Sequence, residues 1–182
     1  YNNALNGDAD CGGLISYNYI SGEPVTGLEE GRPLFVRSAN DRFNLANFMR
    51  THLYASVGVL KIGNDILFKE ENVKVDRITG HGGLFKTKGV GQRILAATIN
   101  SPISVMETAG EGGPWGMALL ASYLVNNPRK LSLADYLDEV VFAGNTGVEI
   151  APTAEDVAGF NKYIENYKAG LGIEQAAVKC KK

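Results

Sequence analysis

The stretch VDRITGHGGLFKTKGVGQRILAATINSPISV, residues 75–105, decides how the chain is read. A β-branched run ends in a glycine cluster, a run with helical spacing follows, and a second short apolar run closes the segment. Strand, loop, helix and strand in that order make a crossover unit of an α/β sheet. The glycines Gly80, Gly82, Gly83, Gly89 and Gly91 then fall between the end of one strand and the first turn of a helix. Open α/β sheets bind ligands at that edge. Glycine lets a backbone approach a ligand closely, and N–H groups at a helix start favour anions, so a phosphate cradle is one reading. A tight turn with no ligand is the other.

Neither standard phosphate motif fits. Walker A needs Lys and Ser or Thr directly after glycine, yet Lys86 and Thr87 follow Phe85. The dinucleotide fingerprint needs a third glycine where Phe85 stands. A second cluster, ETAGEGGPWG at residues 107–116, follows the next strand and opens the next helix. Two such loops on neighbouring strand ends form a cleft.

Outward from this unit, residues 14–20 and 33–37 are expected as strands joined by the turn-rich SGEPVTGLEEGR. Asp41 is the expected N-cap of a long helix running toward Leu67, weakened at Gly58 and Gly63. Residues 73–79 are expected as a strand, 90–99 as a helix, 103–106 as a strand and 115–125 as a helix. Two helices follow, over 132–142 behind Ser132 and over 153–170 opened by Pro152, Thr153 and Asp156. In the last, Val157, Phe160, Tyr163, Ile164, Tyr167 and Leu171 form one stripe suited to core packing. The alternation of strands and helices favours parallel pairing with crossover helices.

The chain has 182 residues, 45% of them hydrophobic, which is one domain with material for a core. With 18 basic and 20 acidic residues and a net charge of -2, it carries no electrostatic footprint for nucleic acid. The cationic cluster Lys179, Lys181 and Lys182 is a solvated tail. Cys11 and Cys180 lack metal-type spacing, so neither a disulfide framework nor a zinc site is expected, and a reducing cytoplasmic setting fits. A run of 18 apolar residues and a signal-peptide pattern are both missing, and no membrane partner is expected. The opening Tyr1 runs straight into GDADCGG, which reads as the middle of a domain, so a fragment is the expectation.

The segments LANFMRTHLYASVGVLKIGNDIL and ITGHGGLFKTKGVGQRILAATINSPISVMETAGEGGPWGMALLASYL together resemble the carboxyl-terminal domain of the FGGY carbohydrate kinases. The xylulokinase-like and ribulokinase-like members are the nearest in pattern. Arg50 and Leu53 sit where the family has a helix with Arg and Leu. Thr79, Gly80, His81, Gly82 and Gly83 fall at its glycine triplet, and Gln92, Pro102, Glu111, Gly116, Met117 and Ala118 at its following elements. The resemblance covers nearly the whole chain. It departs at Tyr54, which stands at a family Glu, at His81 for a glycine, at Gly83 for an alanine, and in a longer loop before Gln92.

The resemblance implies an α/β, actin-like (ribonuclease-H-like) ATPase lobe with a mixed sheet and crossover helices. Residues 1–182 would then be a partial nucleotide-binding domain whose amino-terminal, sugar-binding lobe is absent. ATP with Mg²⁺ in the full-length enzyme, and a ketopentose such as xylulose held by the missing lobe, are the implied cofactors and substrate. Gly80, His81, Gly82 and Gly83 would approach the adenosine and its nearest phosphate. Lys86 or Thr87 would face the adenine, and Glu111, Gly112 and Gly113 would edge the pocket. The catalytic base and the loop gripping the outer phosphates would lie outside this chain, so no catalytic or metal-binding residue is assigned to it and the isolated chain is expected to be inactive.

Asp8 and Asp10 read as turn formers, and His52 as a packed helix residue. His81 would stack on adenine, donate to a phosphate or pin its loop. Trp115 would pack a helix start or shape the adenine pocket. A homodimer is left open. The other class of function is a non-enzymatic, nucleotide-responsive or assembly domain of the same fold.

Overall fold

The computed structural model describes residues 1–144 and 147–180; Lys181 and Lys182 of the cationic tail lie outside the described residues. A short hairpin-like pair opens the domain, β1 (Ile15–Tyr17) running antiparallel to β2 (Leu34–Val36). Both strands are shorter than their sequence signals, with Ser16 facing Phe35 at the centre.

The long helix α1 (Leu45–Asp65) begins three residues later than expected. Asn44, not Asp41, caps it, its Oδ1 accepting from the Asn47 N–H at 2.9 Å. Asp41 instead accepts from the Ser38 N–H at 2.5 Å. Both residue types cap helices well, and the choice falls to the one the tertiary path leaves next to the helical stripe. Gly58 and Gly63 do not break α1. Gly58 is buried against Ile164 and Tyr167 of a later helix, so packing overrides its poor propensity. A wider π-type turn, Ile66–Glu70, ends the segment.

Strand β3 is only Ile78–Gly80. The expected residues 73–77 remain outside any strand, with Val73 and Val75 45% and 49% exposed. β-branched residues without a neighbouring strand form no ladder. Helix α2 (Val90–Ile99) follows and closes on Asn100 in the left-handed region, φ 55°. Strand β4 (Ile103–Val105) then lies parallel to β3, with Ile78 beside Ile103.

Helix α3 (Gly112–Val125) starts inside the second glycine cluster, and α4 (Leu133–Tyr136) is capped by Ser132. Strand β5 (Val148–Ile150), which was not expected from the sequence, adds antiparallel to β4. The sheet is therefore mixed, in the order β3-β4-β5. Helix α5 (Ala154–Ala169), capped by Thr153, and a separate helix α6 (Leu171–Lys179) complete the chain.

The core joins α1, α2 and α5 to β1 and β4. Phe160, Tyr163, Ile164 and Tyr167 of the α5 stripe are buried, whereas Leu171 starts α6 and is half-buried. The core's phenols keep their polar ends bonded: Tyr17 donates to the Tyr167 carbonyl and Tyr167 to the Tyr19 oxygen, both at 2.8 Å.

At its centre Arg50 is 2% exposed and donates to Asp156 at 2.6 Å. Arg50 also donates to the carbonyls of Leu5 and Gly7, and to the Tyr54 oxygen at 3.0 Å. Arg93 from α2 reaches the same carboxylate at 2.6 Å, and Thr153 donates to it at 2.8 Å. Burial alone would push the Asp156 carboxyl up, but hydrogen bonds from Arg93, Arg50 and Thr153 outweigh it and hold the group below its ordinary 3.8.

Replacing Asp156 with Asn strands Arg50 in the interior and is expected to cost about 3–5 kcal/mol in urea denaturation at pH 7. Because the native pKa is lowered, the stability from Asp156 is fully present above pH 3.8 and is lost as pH falls through the native value. The gap between wild type and Asp156→Asn therefore narrows on acidification below 3.8. A gap that stays constant to lower pH contradicts this account.

Candidate functional site

Three features force the turn after β3. Gly80 is buried under the Phe85 ring, and a Cβ there would overlap that ring. Gly82 adopts φ 102°, ψ -174°, a region that side chains avoid, and nothing stands within 4 Å of where its Cβ would be. Its N–H donates to the Ala109 carbonyl at 2.7 Å, which fastens the first glycine loop to the second. A tight turn, Gly83–Phe85, then leads toward α2.

The second loop folds as a 3₁₀ turn, Glu107–Glu111, that runs directly into α3. A Cβ on Gly112 would lie 3.3 Å from the His81 Cβ, so the two loops meet there with no room to spare. The amides of the first turn of α3 have no partner within the helix, and Gly112 and Gly113 border open space.

These loops edge an open cleft of about 550 Å³. His81, Gly82, Gly112 and Gly113 line one side, and Trp115 of α3 with Phe142 lines another. The Trp115 and Phe142 rings lie 5.7 Å apart at 50°. Leucines of α3 and of the α4 segment form the remaining wall.

The expected site residues are thus not all together. Lys86 lines a separate cavity of about 320 Å³ with Lys88 and Gln92, and its Nζ lies 2.6 Å from Glu111 Oε1. Both partners of that pair are more than half exposed, so it latches the loops at little energetic gain. Gly80, Gly83, Thr87 and Glu111 line neither space. Thr87 instead uses its carbonyl to accept from the Val90 N–H at 3.3 Å, and so sets the start of α2.

Gln92 has a role its place in the sequence did not reveal. It is buried, and its Nε2 donates to the Ile103 carbonyl at 3.1 Å and the Val148 carbonyl at 2.8 Å. That amide pins α2 across β4 and β5 and so fixes the loop before it. Phe142 and the leucine wall were also missed, since apolar residues at helical spacing look alike whether they face core or cleft.

Elsewhere, Asp8 accepts from Arg42 at 2.8 Å and from Asn47 at 2.7 Å, and these hydrogen bonds hold its carboxyl below the usual range. Asp10 accepts from Gly12 N–H at 3.0 Å and Lys162 at 2.6 Å. His52 lies beside Phe35 and Phe48, 3.1 Å from the Ser16 hydroxyl, and burial pushes its pKa down. Cys11 is buried and Cys180 exposed, both unbonded thiols. Among the described residues no group of three metal-ligating side chains occurs, and no helix is long and apolar enough to cross a membrane.

Gly80→Ala is expected to displace Phe85 and to destabilise the domain by about 1–3 kcal/mol. The double variant with Phe85→Ala should cost less than the sum of the two single changes, because the clash is then gone. Strict additivity in urea titrations rules out the proposed contact.

A family model described as the FGGY family of carbohydrate kinases, C-terminal domain, matches residues 1–125. No curated protein matches the chain. Among solved structures, gluconate kinase from Lactobacillus acidophilus is similar with TM-score 0.73 and 19% identity, over 99% of this chain and 35% of that one. Plasmodium falciparum glycerol kinase with ADP is similar with TM-score 0.69 and 16% identity, over 95% of this chain and 33% of that one. Ligand-bound xylulose kinase from Lactobacillus acidophilus gives TM-score 0.68 and 21% identity, over 96% and 35%. At these identities the likeness shows the fold. The chain spans 33% to 35% of the length of these structures.

Proposed function

The chain belongs to the FGGY family of carbohydrate kinases, as its C-terminal domain, and from that premise we propose that it is the ATP-binding lobe of a two-lobed, actin-like sugar kinase. The observation that carries this reading is the cleft where two glycine loops meet the start of α3. Its apolar side, with Trp115 and Phe142, suits a nucleobase, and its glycine side suits a phosphate. A glycerol kinase of similar fold was solved with ADP, which supports a nucleotide as the ligand of such a protein.

In this reading His81, Gly82, Gly112 and Gly113 are the binding residues nearest the nucleotide. Gly80, Gly83 and Thr87 shape the loop, and the exposed Lys86–Glu111 pair holds the loops together. The residues present fit the group. Gly82, Gly83 and Gly113 have nothing within 4 Å of a Cβ position, which leaves backbone exposed for a phosphate to approach. ATP would supply the phosphoryl group, and magnesium would accompany its phosphates.

Phosphoryl transfer is mostly positioning and charge stabilisation. This lobe would orient the nucleotide, while the other lobe brings the sugar hydroxyl and the base that accepts its proton. For the sugar we propose a ketopentose such as xylulose, supported by the resemblance of the loops to xylulokinase-like and ribulokinase-like members. We also place the enzyme in the cytoplasm, in keeping with two unbonded thiols.

Titration calorimetry on the full-length protein should detect Mg-ATP, and a coupled assay over xylulose, ribulose, gluconate and glycerol should favour a ketopentose. Gly82→Val forces a branched side chain into φ 102° at the cleft and is expected to lower kcat/KM for ATP on the order of tenfold to hundredfold. A full-length protein that binds no Mg-ATP, together with a Gly82→Val variant as active as wild type, removes the assignment.

A further inference from the structure

Most surface helices are anchored by an apolar stripe turned to the core. Helix α6 is anchored by a carboxyl group. Leu171, Ala177 and Val178 are only half-buried, and the one fully buried residue of the helix is Glu174, at 0% exposure.

That side chain lies where α6 meets the first strand pair. Its Oε1 accepts from the backbone N–H of Arg32, two residues before β2. Gly170, which opens α6, packs on β1 so closely that a Cβ there would overlap the Tyr17 hydroxyl. The other carboxyl oxygen, Oε2, is shut off from solvent and has no hydrogen-bond partner among the described residues. An ionised carboxylate can accept about four hydrogen bonds, and this site supplies one. Burying the ion there is costly, whereas the neutral acid has no charge to strip of water.

The neighbouring ionisable groups leave that balance in place. Burial is the largest influence on Glu174 and raises its carboxyl above the ordinary 4.5; the Arg32 N–H and guanidinium pull the other way by less. Tyr17 of β1 stays neutral, because burial, then Tyr19 and Glu174, push its phenol up. Its proton is committed to the Tyr167 carbonyl of α5, at 2.8 Å. On α6 itself, Lys179 is exposed at the far end of the helix.

We propose that α6 is a proton-sensitive clasp: with Glu174 neutral it holds the segment before β2 against β1 and α5, and with Glu174 ionised it opens more readily. A native pKa above the unfolded one means that this stabilisation is fully present below pH 4.5 and is lost as pH rises through the native value. Asp156 acts in the opposite sense and below 3.8, so the two effects occupy separate ranges.

Hydrogen exchange on the full-length protein, expressed as protection factors from pH 4.5 to about 8, tests the clasp. Protection of the α6 amides is expected to fall by about threefold or more as pH rises, while that of α1 stays level. Glu174→Gln keeps the shape and an acceptor for the Arg32 N–H but removes the titration. Its α6 protection should hold constant over the range and match or exceed wild type at the upper end. Should that amide loosen α6 at every pH, Glu174→Met fills the volume with no titrating group and carries the same expectation of a flat profile. A flat wild-type profile, an equal fall in α1, or a variant that keeps the wild-type slope overturns the proposal.

Discussion

Arg50 is a full positive charge in the interior, and the arrangement of the domain follows from what that charge needs. An unpaired ion there would be costly, so the chain converges on it: Asp156 from α5, Tyr54 from the next turn of α1, and the Leu5 and Gly7 carbonyls from the N-terminal segment. Such a pair adds little net stability over an apolar replacement. Its hydrogen bonds do join the N-terminal segment, α1 and α5 at one point. Arg93 extends the constraint to α2, since it reaches the same carboxylate from its more exposed side. Three helices are thereby held in one register.

Placement of α2 carries through to the cleft. Gln92, one residue before Arg93, ties α2 to both β4 and β5 through a single amide. With α2 held against the sheet and β3 paired parallel to β4, the loop between β3 and α2 has little freedom. The Gly82 to Ala109 hydrogen bond then transmits that position to the second loop and the start of α3. The cleft-lining glycines are therefore held by backbone hydrogen bonding and by a core several residues away.

Local patterns made α2, β4 and the stripe of α5 legible, because each combines clear periodicity with recognisable ends. Long-range pairing was hidden. Val73 and Val75 have strand propensity but no neighbour, while the three residues of β5 have weak signals and gain strand structure from β4. Glycines at 112 and 113 read as loop, yet α3 begins there directly after the 3₁₀ turn, with Gly112 already at helical φ -54°, ψ -38°. Asp156 was visible as a helix opener, whereas its bond to Arg50 spans 106 positions and has no local trace. The site was legible as two glycine loops on adjacent strand ends; the division of its residues between a cleft and an exposed latch was not.

Tyr54 shows how the core accommodates a departure from the family pattern. A glutamate at that position would place a second carboxylate beside Asp156, with Arg50 as the only fully buried cation among the described residues. Tyr54 instead supplies a neutral acceptor for Arg50 and donates its own O–H to the Ala9 carbonyl at 3.0 Å. Burial pushes its phenol up to about 12, so it stays uncharged at any working pH. One buried cation then faces one buried anion, and the surplus charge of Arg93 is left where water can reach it. The same ring lies edge-on to Phe160 at 4.8 Å, so Tyr54 also packs α1 against α5.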